Sequence, residues 1–242
     1  MQFPQPLARG VLVRRYKRFF AEVALDDGGT VTAHCPNPGA MLGLNAPGQG
    51  CWVWRSDDPK RKLAHTLELV EAEDGALVGV NTHRANALVA EALAAGAIAE
   101  LAQYPTVRAE VRYGAASRVD FLLTGAGRPD FWLEVKSVTL SRAPGLAEFP
   151  DSRTARGARH LEELAAMARG GARAGLLFVV QRGDCQRVEL ARDLDPALDR
   201  AMDAALAAGL EVIARGCRID PAGMALGPRL ATPWDARDAR AR

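Results

Sequence analysis

The stretch from Arg118 to Leu140 reads RVDFLLTGAGRPDFWLEVKSVTL and contains two β-prone segments separated by a short loop. In the second segment Glu134 and Lys136 alternate with apolar residues, so they project from the same face of the predicted strand. The loop, TGAGRP, is rich in turn formers and predicts an antiparallel pair. We therefore expect Asp120 to lie level with Glu134, so that two carboxylates and one ammonium group cluster at the end of a small sheet.

This cluster has a chemical use. Two neighbouring carboxylates form a hard-oxygen site for Mg2+ or Mn2+, and such a metal lowers the pKa of a bound water and stabilises charge on a phosphoryl oxygen. Asp120 and Glu134 are therefore candidate metal ligands, and Lys136 is a candidate for orienting or deprotonating the attacking water. The same residues also fit a cross-strand salt bridge on a solvated face, and the residues alone leave that alternative open.

The composition predicts an ordinary globular protein. The chain has 242 residues, of which 48% are hydrophobic and 25% charged, enough for one large or two small domains. The formal net charge is only +2, so any attraction to nucleic acid has to come from local basic clusters. No apolar run has the length of a membrane span, the N-terminus resembles no signal peptide, and four scattered cysteines lack CxxC spacing. These features predict a reduced, cytoplasmic protein that does not bind membranes, and they leave its oligomeric state undetermined.

Residues 10–80 show short β-prone runs separated by the turn clusters DDGG, PNPG, APGQG and EDG. This pattern predicts a small barrel over residues 1–80, with the OB type as one candidate. Aromatic and basic residues alternate on this region, which favours binding of single-stranded nucleic acid by stacking and charge. The aromatics also fit a core, and the cations also fit a solvated surface. The candidate nucleic-acid-binding residues of the barrel are Arg14, Arg15, Lys17, Arg18, Lys60, Arg61 and Lys62.

Beyond residue 80 the spacing at which apolar residues recur changes from that typical of strands to that typical of helices. The element order that follows, α-β-β-β-α-β-α-β, predicts a mixed α/β domain over residues 81–230. Its apolar run at Ala174–Gln181 is typical of a central strand covered on both faces. Residues 231–242 predict a polar, frayed tail.

Two helices of this domain, the second predicted from about Ser152 to Arg169, carry further candidates. Glu91 lies beside the apolar stripe of the first helix, so it either reaches a site or is solvated. On the second helix, Arg153, Arg156 and His160 have the spacing of residues that share a face. This face predicts phosphate contacts beside the metal site, and a solvated basic face is the open alternative.

The order of a helix with an acid, a meander with D…ExK, a helix and a strand resembles the core of PD-(D/E)xK nucleases. Six phrases add a closer resemblance: GVLVRRYKRFFAEVALDDGGTVTAHCPNPGAM, NTHRAN, SRVDFLL, EVKSVTL, FPDSRTARGARHLEEL and LLFVVQR. They are similar to the sugar fermentation stimulation proteins of bacteria and archaea, over a span from about Gly10 to Val212. Pro38 departs from the family, which usually has Thr there, and it touches no candidate metal ligand.

The resemblance implies an N-terminal OB-like barrel joined to a PD-(D/E)xK nuclease-like α/β domain that binds DNA. It implies that Asp120, Glu134 and the backbone carbonyl of Val135 hold the metal. It also implies that Glu91 completes the site directly or through water, and that Gln181 lies at the end of the neighbouring strand. The implied catalytic residues are Asp120, Glu134, Lys136, Glu91 and Gln181.

We therefore predict a DNA-binding protein whose nuclease-type site uses Mg2+ or Mn2+ to hydrolyse phosphodiesters. Two short basic runs without a base-reading helix predict weakly sequence-selective binding that falls steeply with salt. Two alternatives stay open on the sequence. One is a DNA-binding regulator of sugar metabolism genes that cleaves nothing, and the other is a protein whose acid/lysine cluster is only a structural ion network.

Overall fold

A computed structural model describes residues 1–113 and 117–235 of the chain. The first part is built from six strands: β1 Ala8–Tyr16, β2 Phe20–Leu25, β3 Thr30–His34, β4 Gly50–Arg55, β5 His65–Glu71 and β6 Leu77–Gly79. Neighbouring strands pair antiparallel in the order β3-β2-β1-β4-β5, and a parallel pairing of β3 with β5 closes the ring. The predicted OB barrel is confirmed as a closed five-stranded barrel, with β6 added beside β5.

Apolar side chains at alternate positions of the strands fill the inside of the barrel. In β1, Leu12 is fully buried, whereas Val11 and Val13 on either side of it are exposed. The inward residues of all strands meet in one apolar core that includes Leu12 and Leu67. A period of two therefore gives the barrel its inside and its outside, as expected for strands with one buried face.

The second part is a mixed α/β domain, as predicted. Its helices are α1 Arg84–Ala94, α2 Ala155–Arg169 and α3 Pro196–Ala207, with a short 3-10 turn at Ala99–Leu101. In the part of the chain that the structure describes, no helix has the length and apolarity that crossing a membrane requires. The strands are β7 Thr106–Tyr113, β8 Ser117–Thr124, β9 Phe131–Val138, β10 Leu140–Ala143, β11 Leu146–Phe149, β12 Arg173–Val180, β13 Arg187–Leu190, β14 Glu211–Asp220 and β15 Gly223–Arg229.

A six-stranded sheet in the order β15-β14-β12-β9-β8-β7 forms the centre of this domain. The inner strands β9, β12 and β14 run parallel, and antiparallel strands flank them on both sides. α1 packs on one face, and α2 and α3 pack on the other. Leu133 and Val135 belong to the α1 side, so the alternate residues Glu134 and Lys136 face α2.

The structure differs from the predicted element order in three places. A small sheet of β10, β11 and β13 is absent from the prediction, because these four-residue strands show little apolar alternation. The last predicted strand, Val212–Ala214, is only the start of β14, which pairs with β15, a strand obscured in the sequence by its glycines and proline. Residues 231–235 are not a frayed tail, because Trp234 is 5% exposed and its ring lies 6.0 Å from that of Phe178. The rest of the predicted tail, 236–242, lies outside the described residues.

α2 begins at Ala155, a little after the predicted start near Ser152. The hydroxyl of Thr154 accepts a hydrogen bond from the backbone N–H of Gly157 at 3.0 Å, which is the usual way to cap a helix N-terminus. The residues before the cap are therefore free to contact the barrel.

One contact between the barrel and the α/β domain is made by Asp151, just before α2. Its carboxylate accepts a hydrogen bond from the backbone N–H of Met41 at 3.0 Å. The loop that carries Met41 is held from the barrel side by Arg15, whose guanidinium donates to the carbonyls of Asn37 and Gly39 at 2.8 and 2.9 Å. These contacts fix the barrel loop against the start of α2.

Gly39→Ala should loosen this contact. A Cβ at position 39 would overlap the carboxylate of Asp151, which then has to leave the N–H of Met41. We expect unfolding free energy to fall by roughly 1–3 kcal/mol, the usual cost of leaving a buried donor unpaired. Urea unfolding measures the loss. Gly183→Ala is the control, because its Cβ would meet only the carbonyl of Cys217 at an ordinary 3.5 Å, and equal losses in the two variants would contradict this account.

Candidate metal and nucleic-acid site

The candidate carboxylates meet at the point where β8 and β9 stop pairing. The last residue pair of their ladder is Phe121 with Leu133. One residue further, the Asp120 carboxylate accepts a hydrogen bond from the backbone N–H of Val135 at 2.7 Å. Since the N–H and C=O of one strand residue point to the same edge, the carbonyl of Val135 faces the Asp120 side as well.

α1 fixes the other oxygen of Asp120, through a residue that the sequence prediction missed. The side-chain amide of Asn86 donates to this oxygen at 2.7 Å. Glu91, predicted to complete the site, is 58% exposed and pairs with the N-terminal ammonium at 3.1 Å, and no contact with Asp120 or Glu134 is found for it among the described residues. Five positions separate Asn86 from Glu91, and this spacing puts them on different faces of the helix.

Glu134 is buried, and two donors share one of its oxygens. The Lys136 Nζ and the His160 Nδ1 lie 2.6 and 2.5 Å from its Oε1. The Arg156 Nε donates to the other ring nitrogen of His160 at 3.3 Å, so Nδ1 carries the proton that reaches Glu134. The second oxygen of Glu134, Oε2, is buried and has no hydrogen-bond partner among the described residues.

This arrangement corrects the prediction for His160. The sequence places it with Arg153 and Arg156 on a phosphate-binding face of α2, but it is 4% exposed and lies against the sheet. The physical reason is the buried charge of Glu134, which needs a donor from the helix that covers it. Arg153 and Arg156 are exposed, so the basic face consists of these two residues.

The surroundings move the two carboxyl pKa values in opposite directions. Burial raises the pKa of Asp120, and the negative charge of Glu134 raises it further, against two hydrogen bonds that lower it. Burial also acts to raise the pKa of Glu134, but the His160 hydrogen bond and the Lys136 ammonium outweigh burial and lower it. The repulsion that acts on Asp120 is of the kind that a bound cation relieves.

A cleft of about 270 Å³ opens beside Lys136, between the barrel and the α/β domain. Arg18 lines it on the barrel side, and Arg153 and Arg156 line it on the α2 side. The N-terminal turn of α2 forms part of the same wall, and helix N-termini favour anions. The cleft therefore suits a phosphate backbone.

Two acids also line the cleft, and both already have partners. Glu148 pairs with Arg142 at 2.6 Å, and Asp151 accepts the N–H of Met41. Because the charges of these two acids are engaged in such contacts, the arginines of the wall determine the charge that the cleft presents to an anion.

Four of the basic residues predicted on the barrel are exposed and able to meet a ligand. They are joined by Phe19, an exposed aromatic whose ring lies 5.6 Å from the guanidinium of Arg18. A cation beside an exposed ring is the combination that binds single-stranded nucleic acid. These four are Lys17, Arg18, Lys60 and Lys62, of which Arg18 also donates to the carbonyl of Pro38 at 2.7 Å.

The other three basic residues of the barrel are engaged within the protein. Arg15 is a correction: its guanidinium donates only to backbone carbonyls of residues 18, 37, 39 and 40, so it holds a loop and does not face DNA. Arg14 pairs with Glu22 at 2.6 Å, and Arg61 donates to the hydroxyl of Thr66 at 2.8 Å. Arg14 stays exposed and so remains a weaker candidate.

Gln181 directly follows β12, the strand beside β9, as predicted. It is fully buried, and its side-chain NH2 donates to the carbonyls of Gly79 and Asn81. Its backbone N–H donates to the carbonyl of Val138 at 2.9 Å. Gln181 therefore joins the end of the barrel to the central sheet, while its Oε1 has no partner among the described residues, and its place in the catalytic set stays a prediction.

The residues present fit a divalent metal in their chemistry. Asp120, Glu134 and the Val135 carbonyl offer hard oxygen ligands, and the buried Oε2 of Glu134 is an atom that a cation would satisfy. Within residues 1–113 and 117–235, no three His, Cys, Asp or Glu side chains are grouped so as to hold a metal alone. Mg2+ keeps several waters and needs only one or two carboxylates, so this set is sufficient for it.

Glu134→Gln should lower the pKa of Asp120. Burial still raises it in the variant, but the negative charge of Glu134 is gone. A 13C NMR titration of the aspartate carboxyl groups in metal-free protein measures the change. Glu148→Gln is the matched control, because Glu148 is also buried but pairs with Arg142. An Asp120 pKa that is the same in Glu134→Gln and in the parent would show that the two carboxylates do not interact.

Comparisons with known proteins agree with this architecture. Residues 13–80 match the family described as the SfsA N-terminal OB domain, and residues 83–223 match the sugar fermentation stimulation protein RE domain. A sugar fermentation stimulation protein homolog of Caulobacter vibrioides is 56% identical, over 95% of this chain and 96% of its own. Another, of Methylorubrum populi, is 57% identical, over 93% of this chain and 92% of its own.

A solved structure has the same fold along nearly the whole chain. It is described as the structure of Pyrococcus furiosus SfsA in complex with Ca2+ and is 25% identical, with a TM-score of 0.86. The match covers 96% of this chain and 97% of that one. The chain therefore belongs to the sugar fermentation stimulation protein family.

Proposed function

We propose that this protein binds DNA in the cytoplasm and hydrolyses phosphodiester bonds with Mg2+ or Mn2+. One observation carries the proposal: Asp120 and Glu134 converge with Lys136 where β8 and β9 stop pairing, beside a cleft lined by arginines. Acids that hold a metal next to cations that hold phosphates are the two parts of a nuclease site. The arrangement also agrees with the resemblance to PD-(D/E)xK nucleases.

Asp120, Glu134 and the Val135 carbonyl would hold the cation. When bound, a divalent cation neutralises charge on the phosphoryl group and lowers the pKa of water. The N–H of Val135 and the amide of Asn86 orient Asp120. The ring of His160 binds only one oxygen of Glu134, which leaves Oε2 available for the metal.

Lys136 is placed to act on the attacking water. Its ammonium lies 2.6 Å from Glu134 Oε1, and Lys136 itself lines the cleft. With a divalent cation bound, Glu134 would share its charge between the cation and Lys136, and the Lys136 ammonium would be the group that orients water toward the phosphorus. To orient the water, the Lys136 ammonium has to come within hydrogen-bond distance of it. Lys136 already borders the space in which the phosphate would lie.

DNA would be held mainly through its phosphates. Arg18, Arg153 and Arg156 line the cleft, and contacts of this type position the backbone without reading its sequence. Binding is therefore weakly sequence-selective and falls steeply as salt rises, because neutralised phosphates release their counterions.

The relative from Pyrococcus furiosus supports a divalent cation in the proposal, since that protein was solved in complex with Ca2+. Ca2+ and Mg2+ both take oxygen ligands, with carboxylates and backbone carbonyls among them. The oxygen donors around Asp120 belong to this class.

A second candidate is a DNA-binding regulator of sugar metabolism genes that cleaves nothing. The observation that favours it is the Lys136 ammonium, which is already engaged 2.6 Å from Glu134 Oε1. An ammonium held in this ion network would position no water, and the cleft would then bind DNA without turning it over. A purely structural ion network is the limiting case, in which DNA does not bind either.

Incubation of the purified protein with single- and double-stranded DNA separates these functions. The reactions contain Mg2+, Mn2+ or EDTA, and both product formation and gel retention are measured. Metal-dependent products support the nuclease. Retained but intact DNA supports the regulator. If the DNA is neither cleaved nor retained, the result supports the purely structural ion network.

Arg18→Gln combined with Arg153→Gln should weaken DNA binding. Both cations line the cleft, so their removal should reduce the slope of log affinity against log salt by roughly one for each phosphate that is no longer neutralised. Fluorescence anisotropy in EDTA measures the slope. The control is Arg108→Gln with Arg200→Gln, which removes two exposed cations that do not line the cleft. Equal slopes for the two double variants would contradict the assignment of the cleft.

Lys136→Met should abolish most cleavage while leaving metal and DNA bound. It keeps the length of the side chain and removes the group that orients water, at a cost on the order of a hundredfold or more in rate. Single-turnover cleavage at saturating DNA and Mn2+ calorimetry measure the two effects. Arg200→Met is the control, because this exposed cation of α3 does not line the cleft. A parent-like rate in Lys136→Met would remove Lys136 from the mechanism.

A further inference from the structure

Seven buried side-chain atoms have no hydrogen-bond partner among the residues that the structure describes, Ser137 Oγ and Gln181 Oε1 among them, and three of the seven lie around Glu134 on the side of the sheet that α2 covers. These three are Oε2 of Glu134, Oε2 of Glu163 and the hydroxyl of Tyr113. Glu134 and Tyr113 are only 3% and 6% exposed. An unpaired buried polar group costs about 1–3 kcal/mol, and a charged one costs more, so each of these atoms needs an explanation.

Two contacts place these atoms on the same side of the central sheet. On α2, Glu163 follows His160 by three residues, and His160 donates to Glu134, so Glu163 lies over the same part of β9. On β7, the ring of Tyr113 lies 5.7 Å from that of Trp132, which shares a strand face with Glu134. Glu163 and Tyr113 therefore flank Glu134 from α2 and from β7.

The charges agree with this placement. Burial raises the pKa of the Tyr113 hydroxyl, and the negative charges of Glu134, Glu163 and Asp120 raise it further, against the opposite effect of Arg159. The hydroxyl therefore keeps its proton and is available as a hydrogen-bond donor. Carboxylate oxygens together with a hydroxyl suit the water shell of a hard divalent cation.

We propose that Glu163 is a third carboxylate of the metal site and holds the cation through an intervening water, with the Tyr113 hydroxyl donating to the same water. An indirect role agrees with the finding that, in the described parts of the chain, no three acids or histidines are grouped as direct ligands. α2 then supplies the acid that the sequence prediction sought on α1, at Glu91. The inference rests on the proposed metal function and extends its site by two positioning residues.

Glu163→Gln tests the inference with Mn2+ as the probe. Glu162→Gln is the matched control, because it makes the same change of charge at the neighbouring, exposed position of α2. By calorimetry we expect Glu163→Gln to weaken Mn2+ binding by about 10–100-fold, the usual effect of removing a partner in the outer shell of a metal. Glu162→Gln should bind Mn2+ as the parent does.

Thermal unfolding gives a second readout, because a purely structural Glu163 and a metal-binding Glu163 predict different changes in unfolding temperature. Without metal, Glu163→Gln should unfold at the same or a higher temperature than the parent, because it removes a buried, unpaired charge beside Glu134. With Mn2+ it should gain less stability than the parent, since the gain grows with binding affinity.

The outcomes separate the inference from the function on which it rests. Equal Mn2+ affinities for Glu163→Gln and Glu162→Gln, with a parent that binds Mn2+, overturn the inference and leave the proposed function intact. A Glu163→Gln variant that is less stable without metal also overturns it, because Glu163 is then a structural residue. A parent that does not bind Mn2+ removes the proposed metal function itself.

Discussion

The hydrogen bond from the Val135 N–H to the Asp120 carboxylate is the contact on which the candidate site depends. Up to Phe121 and Leu133, β8 and β9 pair through their backbones, and beyond that point the Asp120 side chain takes the place of the next backbone acceptor. The strands can therefore separate without leaving the Val135 N–H unpaired, which would be costly at a buried position. Their separation leaves the middle of β9 without a backbone partner on the β8 side, and the carboxylate, the carbonyl of Val135 and the side chain of Glu134 come together there.

The helices on the two faces then determine how each acid is held. From α1, the amide of Asn86 donates to Asp120 without adding charge. From α2, the imidazole of His160 donates its Nδ1 proton to a single oxygen of Glu134. Both partners orient an acid without supplying a full cation of their own, and Lys136 is the one full cation that contacts either acid in the described parts of the chain. The pair of acids therefore retains negative charge for a metal, which supports the proposed function.

The sequence predicts the two-part fold and the convergence of Asp120 with Glu134, because both depend on local patterns of alternation and turns. It fails where a role is set by distant contacts. Arg15 has the pattern of a surface cation, yet three of its four carbonyl partners lie more than twenty residues away. The spacing of His160 likewise does not reveal the buried acid beneath it. Asn86 offers a usable signal, since an amide is a weak helix former and this one borders an apolar stripe. Metal binding by Asp120, Glu134 and Val135 stays a prediction.

The most direct test of the central claim is an anomalous difference map from a crystal of the protein soaked in Mn2+. The account predicts one strong peak that lies about 2 Å from oxygens of both Asp120 and Glu134, on the side that the Val135 carbonyl faces. A peak bound elsewhere, or a map without a peak at these carboxylates at saturating Mn2+, would contradict it.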